Sequence, residues 1–171
     1  MKQNIIKFNK PFISSSTEKN IIKVLRNKSF ADGEFQLKSE KVIQKLTSSK
    51  SIKLTQNCSS ALEIAMILAN IKHGDEVIIP SYTFTSTANC VLLRNAKPIF
   101  ADINLNDINL NPESVEKKIN KKTKAIIIVH YGGIACNMEI FLKLKKKYNL
   151  YLIEDAAHGF LGKYKNKFLG T

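Results

Sequence analysis

Leu150-Tyr151-Leu152-Ile153-Glu154-Asp155-Ala156-Ala157-His158-Gly159 is the stretch that decides the reading of this chain. It begins as a short apolar run, turns acidic, and passes into small residues. Such a run reads as a buried parallel strand that ends in a loop. In an open α/β sheet, ligands bind beyond the carboxyl ends of the strands. Asp155 falls at that place, where its carboxylate can meet a cationic group. Taken alone, the same residue could equally cap whatever follows, since Asp is a common helix N-cap.

Upstream, the pattern repeats. From Ser51 onward the sequence alternates strand and helix. Ile52-Lys53-Leu54-Thr55 reads as a short strand. Ser59 to Ile71 reads as a helix, with Leu62, Ala65, Met66 and Ala69 at helical spacing and His73-Gly74-Asp75 as its stop. Strands follow at Glu76–Pro80, Lys97–Asp102 and Lys124–Val129, with helices at Thr85–Arg94, from Asn111-Pro112, and at Met138–Tyr148. Before Ser51, two helices are expected, from Ser14-Ser15-Ser16-Thr17 to Asn27 and from Leu37 to Thr47, with a turn at Asp32-Gly33 between them. After Gly159, a small hairpin is expected around Lys165-Asn166. The alternation predicts an α/β fold: a mostly parallel sheet with helices on both faces.

Three further strand ends carry candidate chemistry. Thr55-Gln56-Asn57-Cys58-Ser59-Ser60-Ala61-Leu62 runs into a helix start, where free N–H groups and the helix dipole can hold an anion. The hydroxyls of Ser59 and Ser60 add donors, though plain capping by Asn57 or Ser59 also explains the stretch. It is not a P-loop, because the Gly and Lys-Ser/Thr pattern is absent. Pro80-Ser81-Tyr82-Thr83-Phe84-Thr85-Ser86-Thr87-Ala88-Asn89 places a flat apolar ring, Phe84, after a strand, fit either to stack on an aromatic ligand or to fill the core. Val129-His130-Tyr131-Gly132-Gly133 ends the most β-branched strand in a histidine that is either a core residue or a site residue. Its glycines would let a ligand approach closely. A cofactor with a phosphate, a planar ring and a protonated ring nitrogen would use these pieces together. Pyridoxal phosphate has those parts, and a carboxylate on its pyridinium makes it an electron sink.

Composition narrows the class. The length suits one ordinary domain. No apolar run is long enough to span a bilayer, and no signal-like stretch follows Met1, so a cytoplasmic, membrane-free protein is expected. The formal charge of +13 favours anionic small molecules. Its lysines are scattered, and the dense cluster Lys143-Leu144-Lys145-Lys146-Lys147 reads as a solvated helix face rather than a nucleic-acid surface. Cys58, Cys90 and Cys136 show neither a disulfide framework nor metal-ligand spacing.

Phe30-Ala31-Asp32-Gly33-Glu34-Phe35, Gly74-Asp75-Glu76-Val77-Ile78-Ile79-Pro80-Ser81-Tyr82-Thr83-Phe84, Val129-His130-Tyr131 and Glu154-Asp155-Ala156-Ala157-His158 occur in an order and spacing that resemble the DegT/DnrJ/EryC1/StrS nucleotide-sugar aminotransferases. The likeness runs over nearly the whole chain. Within the family it points to the dTDP-4-amino-4,6-dideoxygalactose transaminases, which make an amino sugar for bacterial surface polysaccharides such as enterobacterial common antigen.

The resemblance implies the aspartate-aminotransferase-like fold and pyridoxal phosphate as cofactor. It implies glutamate and a nucleotide-linked 4-keto sugar as substrates, and a homodimer. Ser59 and Ser60 match the positions that hold the cofactor phosphate, and Phe84 the aromatic on the pyridine ring. Asp155 matches the carboxylate on the ring nitrogen. His158 matches a Gln-or-His position near the phenolic oxygen. The family's Schiff-base lysine belongs to a motif that would fall after Thr171; Lys163, Lys165 and Lys167 do not match it and read as surface residues. By that likeness, residues 1–171 form the N-terminal part of the large domain, without the small C-terminal domain, and should not turn over alone. The alternative is a non-catalytic binding or assembly module that pairs with a full-length homologue.

Overall fold

Continuously buried β-branched runs build the centre of the molecule. The computed structural model describes residues 10–28, 30–31 and 33–171. Four parallel strands, β1 (Glu76–Pro80), β2 (Lys97–Ala101), β3 (Thr123–Val129) and β4 (Tyr151–Asp155), form one sheet in the order β2-β1-β3-β4. Val77 and Ile79 of β1, and Ala125 and Ile127 of β3, face one apolar cluster with α3 (Cys58–Leu68) and α4 (Ser86–Leu92). Ile78, Ile126 and Ile128 face a second cluster with α5 (Pro112–Lys118) and α6 (Met138–Tyr148). Side chains alternate across a strand, so a sheet covered on both faces needs apolar residues at every central position. β3 supplies this with Ala125-Ile126-Ile127-Ile128, all fully buried.

The expected alternation of elements holds, with local differences. α1 (Ser15–Asn27) and α2 (Glu34–Thr47) are helices, α2 beginning three residues earlier than its periodicity predicts. Asp32 of the expected turn lies outside the described residues. Ile52-Lys53-Leu54-Thr55 is not a strand. Its Leu54 N–H donates to the Glu40 carboxylate of α2 at 3.2 Å, where a strand would use a neighbour's carbonyl. α3 stops at Leu68, before Ile71, because Asn70 turns left-handed (φ 52°). Gly74 (φ 87°) therefore turns the chain into β1 and does not cap the helix. The hairpin is present as β5 (Lys163–Tyr164) and β6 (Lys167–Phe168), with Lys165 and Asn166 both at positive φ. Lys163, Lys165 and Lys167 are exposed, and Lys165 pairs with Glu139. Among the described residues, no helix is long and apolar enough to cross a membrane and no cluster of metal-ligating side chains occurs.

The strand order fixes where a ligand can sit. β1 connects through α4 to β2 on one side, whereas β3 connects through α6 to β4 on the other. The chain thus reverses direction across the sheet between β1 and β3, and a crevice opens at their carboxyl ends.

Two measurements check this core. Ile127→Ala should cost roughly 2–5 kcal/mol in denaturant unfolding, because Ile127 is fully buried and leaves a cavity. Val42→Ala, on an exposed position of α2, should stay within about 0.5 kcal/mol. The second concerns Cys136, whose thiol donates to the Val129 carbonyl at 3.2 Å and is pushed up to about 12 by burial. An unfolded thiol loses its proton near 9.0, so above that pH the unfolded state binds fewer protons than the native one. Stability from this thiol is complete below pH 9 and falls as pH rises towards 12. Removing it in Cys136→Ala should flatten the alkaline fall of unfolding free energy by up to about 1.4 kcal/mol per pH unit.

Candidate active site

Strand alternation decides which residues at the strand ends reach the crevice. Ile126 and Ile128 face the α5/α6 side, and His130 keeps their parity. It is fully buried, and its ring is satisfied on both nitrogens. Nδ1 accepts the Cys136 N–H at 3.1 Å, so Nε2 carries the proton and donates to Glu154 Oε2 at 3.0 Å. The same carboxylate oxygen accepts the Gly170 N–H at 2.9 Å. His130 is thus a core histidine that ties β3 to β4 and to the end of the hairpin.

Asp155 has the opposite parity, in line with Ile153, which packs on the α3 side. Its side chain meets the start of α3. Oδ1 accepts the Ala157 N–H at 3.0 Å, and Cys58 Sγ lies 3.5 Å from the same oxygen. Asp155 is 7% exposed, yet among the described residues no protein donor reaches Oδ2. It caps no helix; the one backbone group that its side chain accepts from is the Ala157 N–H in the turn.

The crevice is a cavity of about 360 Å³ lined by Ser59, Phe84, Tyr131, Asp155 and His158, with Cys58, Tyr82 and Ser86 among the neighbours that complete it. The structure thus brings together Ser59 from the first turn of α3, Phe84 from the segment after β1, and Asp155 and His158 from the end of β4. Asn57 caps α3, its Oδ1 accepting the Ser60 N–H at 2.9 Å. Ser59 Oγ hydrogen-bonds Ser86 Oγ at 2.6 Å, joining the first turns of α3 and α4 at the cavity. Ser60 does not line it. Successive helical residues point about 100° apart, and Ser60 borders a separate groove with Leu54, Thr55 and Gln56.

Phe84 is 73% exposed, so it is not a core aromatic. It offers its ring to the cavity. His158 Nδ1 accepts the Gly132 N–H at 3.2 Å, which leaves Nε2 as a donor. Its ring stands edge-on to Tyr131 (centroids 5.4 Å, 83°), and Tyr131 leans on Tyr82 (5.2 Å, 46°). The Tyr82 hydroxyl holds the Tyr131 hydroxyl above its ordinary pKa through their 3.4 Å hydrogen bond. Gly133 serves the protein backbone and not a ligand: a Cβ there would lie 2.9 Å from the His158 carbonyl, and its φ is 82°.

Cys58, Ser86, Tyr82 and Tyr131 join the site without having been singled out by sequence. Each lies inside a stretch that was. What distinguishes them is strand parity and helix phase, which a residue list does not display.

The donor set fits a small anionic aromatic cofactor: hydroxyls at a helix start, a free aromatic face, a histidine donor, and a buried carboxylate with one uncommitted oxygen. A family model for the DegT/DnrJ/EryC1/StrS aminotransferases matches residues 11–171. The spore coat polysaccharide biosynthesis protein SpsC of Bacillus subtilis is 31% identical over 99% of this chain and 44% of its own length. The GDP-perosamine synthase of Escherichia coli O157:H7 is 41% identical over 67% of this chain and 32% of its own. The solved aminotransferase from Psychrobacter cryohalolentis superposes with a TM-score of 0.89 at 30% identity, over 94% of this chain and 41% of that one. The chain thus spans less than half the length of each of these relatives, and its parallel-sheet fold is that of part of a pyridoxal-phosphate-dependent aminotransferase. On the match across residues 11–171 and the shared fold, the chain belongs to the DegT/DnrJ/EryC1/StrS aminotransferase family.

Proposed function

We propose that residues 1–171 build the pyridoxal-phosphate-holding, N-terminal part of the large domain of a nucleotide-sugar aminotransferase. The observation that carries this reading is the Asp155 carboxylate: buried, fixed through Oδ1, uncommitted at Oδ2, and sharing one cavity with Ser59 and an exposed Phe84.

When bound, pyridoxal phosphate supplies the electron sink through which an amino group passes from donor to keto sugar. The chain's own residues do the rest. Asp155 holds a proton on the ring nitrogen, since an ionised carboxylate beside a cation favours the charged form. Phe84 offers a flat face to the ring. Ser59 and Ser86, at the first turns of α3 and α4, donate to the phosphate, and the positive end of the α3 dipole adds to their pull. His158 donates from Nε2 to the phenolic oxygen.

Glutamate is the proposed amino donor. The proposed acceptor is a dTDP-4-keto-6-deoxyhexose, placing the reaction in the assembly of surface polysaccharides. The names of the Bacillus and Escherichia relatives support a polysaccharide or nucleotide-sugar setting. The proposed assembly is a homodimer, supported by the exposed apolar residues Ile67, Leu68, Leu92 and Leu93 on and beside α3 and α4.

Equilibrium dialysis against pyridoxal phosphate tests the site. Asp155→Asn should weaken binding roughly 10- to 100-fold, the worth of a hydrogen bond to a charged group. Phe84→Ala should weaken it by about threefold or more, and Ser60→Ala should leave it unchanged. Equal affinity of wild type and Asp155→Asn would contradict the reading. For the substrate, amination by this chain completed with the remaining part of a family aminotransferase should be faster on the dTDP-linked keto sugar than on its GDP-linked counterpart. The reverse order would reassign the nucleotide.

A further inference from the structure

We propose that Cys58 is a positioning residue for Asp155: its thiol and the Ala157 N–H together hold Oδ1, so that Oδ2 is the oxygen presented to a cationic ring nitrogen. The inference rests on the cofactor reading above and goes beyond it, because it assigns a role to a side chain whose hydrogen-bond partner is the carboxylate.

Three observations carry it. Cys58 opens α3 and lines the same cavity as Asp155, its sulfur 3.5 Å from Oδ1. An ionised carboxylate is an acceptor only, so the thiol must be the donor. The other two cysteines bond differently: Cys90 donates to the Thr87 carbonyl at 3.3 Å and Cys136 to the Val129 carbonyl at 3.2 Å. Of the three, only Cys58 meets a side-chain charge. Finally, both donors converge on one oxygen, and among the described residues the second oxygen has none. A carboxylate clamped through one oxygen cannot swing about its terminal bond, and its free oxygen keeps one direction.

The thiol is suited to this task. Partial burial of the sulfur in an otherwise exposed residue, and then the Asp155 charge, push it up to about 11. It therefore stays a neutral donor across the working pH range and adds no negative charge to compete for the cation. As a weak donor, it orients the carboxylate while withdrawing little of its charge. A hydroxyl at the same place would hold the same oxygen more tightly.

Two probes test this. The first is pyridoxal phosphate compared with its 1-deaza analogue, in which C–H replaces the ring nitrogen. Affinities are measured by equilibrium dialysis for wild type, Cys58→Ala, Cys58→Ser and Asp155→Asn. Wild type should prefer the nitrogen-bearing ring. Cys58→Ala should lose roughly three- to tenfold of that preference, the worth of one hydrogen bond, with affinity for the deaza ring unchanged. Cys58→Ser should retain the preference. If Cys58→Ala keeps the full preference, or weakens both ligands equally, the positioning role is overturned while the cofactor reading stands. If wild type shows no preference, the cofactor reading falls and the inference with it.

The second probe is iodoacetamide, with alkylation of Cys58 followed by peptide mass at pH 9. Asp155→Asn should speed the reaction, because loss of the carboxylate lets the exposed Cys58 form thiolate more readily. An unchanged rate would overturn the hydrogen bond on which the proposal stands.

Discussion

One buried carboxylate sets the terms for the rest of the molecule. A charge taken out of water is costly unless other groups hold it, and Asp155 is 7% exposed. Two donors meet it, and both on the same oxygen. Everything that places those donors is therefore part of the site: the parity of β4, the start of α3 on one face of the sheet, and the tight turn after the strand. The remaining oxygen is left to a ligand.

Behind that carboxylate lies a second polar layer of opposite parity. Glu154 turns to the other face, where it accepts from His130 Nε2 and from the Gly170 N–H. His130 in turn accepts from Cys136 N–H. Both ring nitrogens of His130 are used, so the imidazole has nothing to offer a ligand. The network locks β3 and β4 in register and pulls the hairpin end beneath the site. Gly133 lets the two loops pass at backbone contact distance, which brings Gly132 N–H to His158 and fixes that ring's free nitrogen as a donor. Adjacent residues on one strand thus divide the work: Asp155 faces the cavity and Glu154 anchors the frame.

Much of this was legible in the sequence. The apolar run of β3 and the acidic end of β4 announced a doubly covered parallel sheet, and the strand-end stretches contained every side chain of the cavity. What could not be read was phase. Ser59 and Ser60 look equivalent in a string, but helix geometry sends only Ser59 to the cavity. His130 fits either a core or a site in the string; strand alternation buries it and presents Tyr131 instead. Ile52–Thr55 had the composition of a strand, yet Glu40 took the N–H that a ladder would have needed. Cys58 carries no signal in the string, because its partner lies 97 residues away.

The central claim is that Asp155 keeps a ring nitrogen protonated. The most direct measurement is the nitrogen NMR shift of ring-labelled pyridoxal phosphate bound to this chain, at a pH where the free cofactor's ring nitrogen is neutral. A shift in the pyridinium range, lost in Asp155→Asn, is the result predicted. A neutral-pyridine shift in the bound wild type would contradict the account.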